Sequence, residues 1–213
     1  MLKALHVMLV VMLMVCGTFA GAGCRAFSNA GGSLLIESLN NGSTLSPEVR
    51  TAVYKRVDAN TADLYFSDLP EERLTDPLDK LEGASGCILH IHYFLNPDAG
   101  STPIDDTACN VTLRNFVIAP GAGDGQPMVM GVYGGGGFFF PSGSPGSTIF
   151  GGSMRDGTHR LVGATPGFND ALGPAAIGGK MLATRDDDAA EAVERKLRGL
   201  MRRLAEVKPA DPK

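Results

Sequence analysis

Alternation of apolar and polar side chains, the period of an extended strand, recurs along most of this chain. Ser33 to Leu39 reads as a first strand. From Val49 the pattern is extended again, with Ala52, Tyr54 and Arg56 on one face and Val53, Lys55 and Val57 on the other. Asp58-Ala59-Asn60 turns the chain, and Ala62, Leu64 and Phe66 then oppose Asp63, Tyr65 and Ser67, which predicts a β-hairpin. Gly86 to Leu95 is the strongest strand. Cys87, Leu89, Ile91, Tyr93 and Leu95 share one face, Ile88, His90, His92 and Phe94 the other, and apolar residues on both sides predict a central position. Cys109 to Ala119 is the next long strand. Met128 to Tyr133 and Phe138 to Phe140 read as two short runs separated by Gly134 to Gly137. Thr148 to Arg155 and Thr158 to Ala164 flank Asp156-Gly157, a dipeptide suited to a tight hairpin turn, and Ile177 to Thr184 completes the strands.

One stretch changes period. Val193, Leu197, Leu200, Met201 and Leu204 recur at helical spacing and predict a helix over about Asp187 to Ala205, begun by the cap and negative charge of Asp186, Asp187 and Asp188. Arg195, Lys196, Arg198, Arg202 and Arg203 cover its other faces, as a solvated surface whose cations complement the helix dipole or as a surface for anionic headgroups. Pro70 to Gly83, charged and with two prolines, reads as a surface connection with a helical turn. The expected fold is mainly β (α+β): an antiparallel sandwich or strongly curved sheet with one C-terminal amphipathic helix packed on it. A single domain spans 33–206, with the helix from about residue 187 and a fraying tail at 207–213.

Composition narrows the partners. The 28 glycines, 13 prolines and absence of Trp fit a turn-rich chain of short strands. Without residues 1–23 the chain carries 18 basic and 23 acidic residues, a net charge of −5 that excludes a nucleic-acid binder dependent on a basic face.

The first two dozen residues, MLKALHVMLVVMLMVCGTFAGAGC, open with Lys3, run through an apolar core from Val7 to Val15 and relax into small residues from Gly17 to Gly23. Ala22, Gly23 and Cys24, two small residues and a cysteine after the apolar core, resemble a bacterial lipoprotein signal. The resemblance covers these residues alone. It implies removal of residues 1–23, lipidation of Cys24, a flexible tether over 24–32, and a domain anchored in the cell envelope that faces the periplasm or exterior. Ala20 and Ala22 also form a small-x-small site, which would release a soluble secreted protein beginning at Gly23. The apolar stretch from Ala4 to Ala22 also approaches the length of an uncut membrane anchor.

Several constellations bear on chemistry. Cys87 and Cys109, 22 residues apart on neighbouring predicted strands, are either a disulfide in an oxidising compartment or two separate small core residues. His90 and His92 project from one strand face, as paired imidazoles do in zinc and iron sites on β-scaffolds. Two nitrogens are too few, and the conceivable further ligands are His159, Glu37, Asp105, Asp106 and Asp156. The alternative is a pair of hydrogen-bonded or exposed histidines on a half-buried strand. Asn96, Asp98, Asp105 and Asp106 are oxygen-rich, but they lack the spacing and closing Glu of an EF-hand. Gly134 to Gly137 is followed by Phe138-Phe139-Phe140-Pro141 instead of Lys-Ser or Lys-Thr, so it is not a phosphate loop but a bulge or wide turn in a sheet, with the phenylalanines beginning the next strand. Neither Ser144 nor Ser153 has the flanking glycines of a nucleophile elbow. The pattern therefore points to a non-catalytic binding or scaffolding module without a cofactor. The alternatives are a metal-dependent enzyme centred on His90 and His92, and a carrier of a small apolar ligand with Phe138, Phe139, Phe140, Met128 and Met130 around a cavity.

Overall fold

The computed structural model describes residues 30–75, 77–94, 108–123 and 126–206. The signal segment, Cys24, most of the tether, the oxygen-rich loop with Asp105 and Asp106, and the tail at 207–213 lie outside the described residues.

Nine strands form one sheet: β1 (Gly31–Ser38), β2 (Thr44–Leu45), β3 (Thr51–Arg56), β4 (Ala62–Ser67), β5 (Gly86–Tyr93), β6 (Val111–Ala119), β7 (Val129–Ser142), β8 (Ile149–Ala164) and β9 (Ala175–Arg185). Helix α1 (Glu71–Thr75) and a 3-10 turn over Leu78–Leu81 connect β4 to β5, and α2 (Asp187–Glu206) follows β9. From β3 to β9 each strand pairs with its sequence neighbour in antiparallel fashion wherever a turn allows it. β9 then carries β1 along most of its other edge, and its last residues meet β3 in a short parallel seam, Val53 with Thr184 and Tyr54 with Arg185. The sheet thus curves until it closes on itself.

Closure divides the apolar residues into two cores. Leu64, Phe66, Leu89, Ile91, Tyr93, Leu113, Phe139 and Phe150 fill the inside of the curved sheet. On the outside, Val53, Tyr65, Ile88, Phe116, Met130 and Val132 receive the stripe of Ala190, Val193, Leu197 and Leu200 from α2. The helix begins where the Asp186 carboxylate accepts the Ala189 N–H at 2.9 Å, an N-cap in the expected place. The connection between β4 and β5 holds the expected helical turn, but Leu74 and Leu81 are buried against the same core, so it is packed against the body of the protein and does not lie wholly on its surface.

The structure corrects one turn assignment, that of Asp156-Gly157, and for Gly134 to Gly137 has the bulge of the two readings. The glycine run and its flanking apolar stretches are one strand, β7, and the Asp156-Gly157 dipeptide lies within another, β8. Asp156 does adopt the left-handed backbone that its sequence signals, with φ of 55°. However, the register shifts between Met154 and Gly157 and between Gly136 and Phe138 mark bulges in continuous strands. A bulge and a hairpin turn draw on the same left-handed residue types, and only the partner strand decides between them. Here the bulges bend two long strands around the closed sheet.

Of the two readings of the cysteine pair, the structure has the unbridged one. Cys87 and Cys109 are both free thiols, the first buried and the second exposed. Cys87 stands opposite Val117, eight residues further along β6 than Cys109, which at ~3.3 Å per residue separates them by roughly 26 Å. Burial pushes the Cys87 thiol up to about 12, the state of an inert core cysteine.

Candidate functional site

His90 and His92 project from β5 onto the outer face of the sheet, beside α2. Register places Asp63 of β4 opposite His92, and Tyr65 opposite His90. Asp63 Oδ1 is 2.9 Å from His90 Nε2 and 2.8 Å from His92 Nδ1. The Tyr65 ring stacks on His90 with centroids 4.8 Å apart and planes 10° from parallel. Burial alone would raise the Asp63 carboxyl, but hydrogen bonds from both imidazoles outweigh it and hold the group below the usual carboxylate range. Asp63 is therefore ionised and both ring nitrogens donate to it.

The carboxylate occupies the place between the two nitrogens. Among the described residues no group of three His, Cys, Asp or Glu side chains is disposed to hold a metal ion. Of the conceivable further ligands, His159 is buried with the ring of Tyr133 on the inner side of the sheet, while Glu37 and Asp156 lie on β1 and on the β8 bulge. Asp63 was not among the expected partners. Its alternation marked it as outward-facing, and only the β4–β5 register brings it to the histidines.

The side chains of the apolar-carrier reading separate likewise. Phe139 is part of the inner core, Met128 and Met130 lie under α2, and Phe138 and Phe140 pair with each other at 4.9 Å between ring centroids. They do not surround one cavity.

A groove of 550 Å3 does open between α2 and the outer face of β5 and β6. Phe116, Leu197 and Met201 are its apolar lining residues, the first two almost fully buried, and His90, Arg114, Glu194, Arg198 and Arg202 its polar ones. Arg114 is opposite His90 in the β5–β6 register. The helix residues follow from spacing: 194, 197, 198, 201 and 202 recur at three and four and so fall on one flank of α2, next to its buried stripe. Glu194 is answered twice, by Lys55 of β3 at 2.6 Å and by Arg198. Arg114 and Arg202 have no carboxylate partner among the described residues. The Tyr65 side chain is 1 % exposed, and its hydroxyl has no hydrogen-bond partner in the protein. Burial raises its pKa, and the charges it feels are Asp63 and the groove residues Glu194 and Arg198.

The arrangement offers an apolar wall, fixed cations and a rigidly held imidazole. It supplies no nucleophile paired with a general base. The arginines were legible only as a polar strand position and a basic helix face, because a groove between elements distant in sequence has no local signature. Compared with protein-family models, with curated proteins and with solved structures, the chain matches none.

Proposed function

We propose that this chain is a cell-envelope lipoprotein, held at the membrane through Cys24, whose β-rich domain is a non-catalytic binding module with its ligand seat in the groove between α2 and strands β5 and β6. The groove carries the proposal. Its volume lies in the range of small-molecule sites, and it combines apolar surface with a few convergent polar groups. The anchor rests on the Ala22-Gly23-Cys24 motif, where each buried acyl methylene would contribute ~0.8 kcal/mol to membrane attachment.

The test joins both parts. Wild-type protein and Cys24→Ser are fractionated and weighed intact, and the non-acylated protein is examined by native mass spectrometry with and without Met201→Lys in the groove. The reading expects acyl mass and membrane association that depend on Cys24, and a retained small molecule that Met201→Lys removes. Wild-type protein that begins at Gly23 without acyl mass would refute the anchor. A retained molecule indifferent to Met201→Lys would refute the seat.

A further inference from the structure

The groove's charge is unbalanced in a way the fold does not need. Glu194 is neutralised by Lys55 and Arg198, so Arg114 and Arg202 face the same opening from strand and helix without an ion-pair partner among the described residues. Both side chains are exposed, and neither contributes to the two cores. The wall they share holds Phe116, Leu197 and Met201, of which Met201 is the most accessible. The Tyr65 hydroxyl, buried and without a partner, adds a donor behind His90.

Resting on the proposed ligand seat, we propose that the groove takes a single-chain anionic amphiphile, its carboxylate head between Arg114 and Arg202 and its chain along Phe116, Leu197 and Met201. Guanidinium groups form charge-assisted, planar hydrogen bonds to a carboxylate, and the apolar wall removes the chain from water. A neutral amphiphile of equal length keeps the second contribution and loses the first. An inorganic anion keeps the first and loses the second. The ligand class is thus defined by needing both.

The experiment uses the mature chain, residues 24–213, with Cys24→Ser so that no acyl chain competes for the groove. Binding of dodecanoate and of 1-dodecanol, each below its aggregation concentration, is followed by calorimetry on this protein, on Arg114→Gln/Arg202→Gln, and on Arg195→Gln. Arg195 lies outside the groove and pairs with Glu191 at 3.9 Å, so its variant controls for net charge. Circular dichroism verifies that each variant is folded. The expected result is dodecanoate binding at least tenfold tighter than dodecanol, weakened at least tenfold by the double substitution and unchanged by Arg195→Gln. Equal binding of the two probes, abolished by Met201→Lys, would overturn the anionic ligand class and leave the seat standing. Dodecanoate binding that survives the double substitution, or no binding of either probe, would overturn the proposal. The fate of the seat then rests on the retained molecule sought by native mass spectrometry.

Discussion

Asp63 and His92 face each other across the β4–β5 pair, and the oxygen that lies 2.8 Å from His92 Nδ1 also lies 2.9 Å from His90 Nε2. One carboxylate thereby fixes two imidazoles, of which His90 lines the groove and is clamped by Tyr65 from its other side. Because the structure holds the Asp63 carboxyl below its ordinary value of 3.8, ionisation favours folding. The contribution is complete above that value and is lost as pH falls through the lower value of the folded state. Asp63→Ala should cost about 1–3 kcal/mol at neutral pH, the expense of leaving partly buried donors unmatched. Its denaturant midpoint should also vary less than that of wild type as acid is approached. Parallel midpoint–pH curves would remove the carboxylate from this role.

His159 should dominate a different pH window. Its ring is 3 % exposed, neither ring nitrogen has a protein partner, and burial lowers its pKa from 6.5 to about 4. A neutral His159 is thus required by the fold. Stability is complete above pH 6.5 and declines toward pH 4, where the unfolded chain gains protons that the native state refuses. The loss amounts to about 3 kcal/mol over the interval. His159→Leu should flatten this part of the curve, and unfolding midpoints at pH 7.5 and 4.5 for both proteins provide the comparison.

The cysteines give a chemical check on the sheet register. In native protein a maleimide should label Cys109 and spare Cys87, which is buried on β5. Unfolding without reductant should expose both. Failure to label either thiol in unfolded, unreduced protein would mean that they are bridged and that the β5–β6 register is wrong.

Attachment of α2 depends on its cap and its stripe. Asp186→Ala removes the acceptor of the Ala189 N–H and should cost about 1 kcal/mol. Leu200→Ala empties a fully buried position and should cost about 2–5 kcal/mol. Because the groove lies between this helix and the sheet, the larger loss should also weaken ligand binding. Equilibrium unfolding by urea measures both losses.

How much of this was readable in the chain depended on the range of the signal. Period-two and helical patterns are local, so β4 and α2 match their predicted spans closely, and the two faces of β5 divide as its alternation requires. Closure of the sheet was not legible, since the seam between β3 and β9 joins Val53 to Thr184 across most of the domain. Asp156-Gly157 reads as a hairpin turn and the glycines before Phe138 as a bulge or wide turn, because the backbone preference of these residues suits turns and bulges alike. Asp63 escaped notice for a related reason. The packed connection from α1 through Leu81 sets which β4 residue meets His92, and nothing near Asp63 encodes that offset.

Where a ligand touches the protein tests the groove as its seat most directly, and contact elsewhere contradicts it. Isotope-labelled protein titrated with dodecanoate should shift the Met201 methyl resonance and the amide resonances of His90, Arg114, Leu197 and Arg202 together, with one saturation curve. Tyr133 and His159, inside the sheet, should stay in place. Perturbations centred on those interior residues, or on Gly121, Ala122 and Gly123 while the groove resonances remain still, would contradict it.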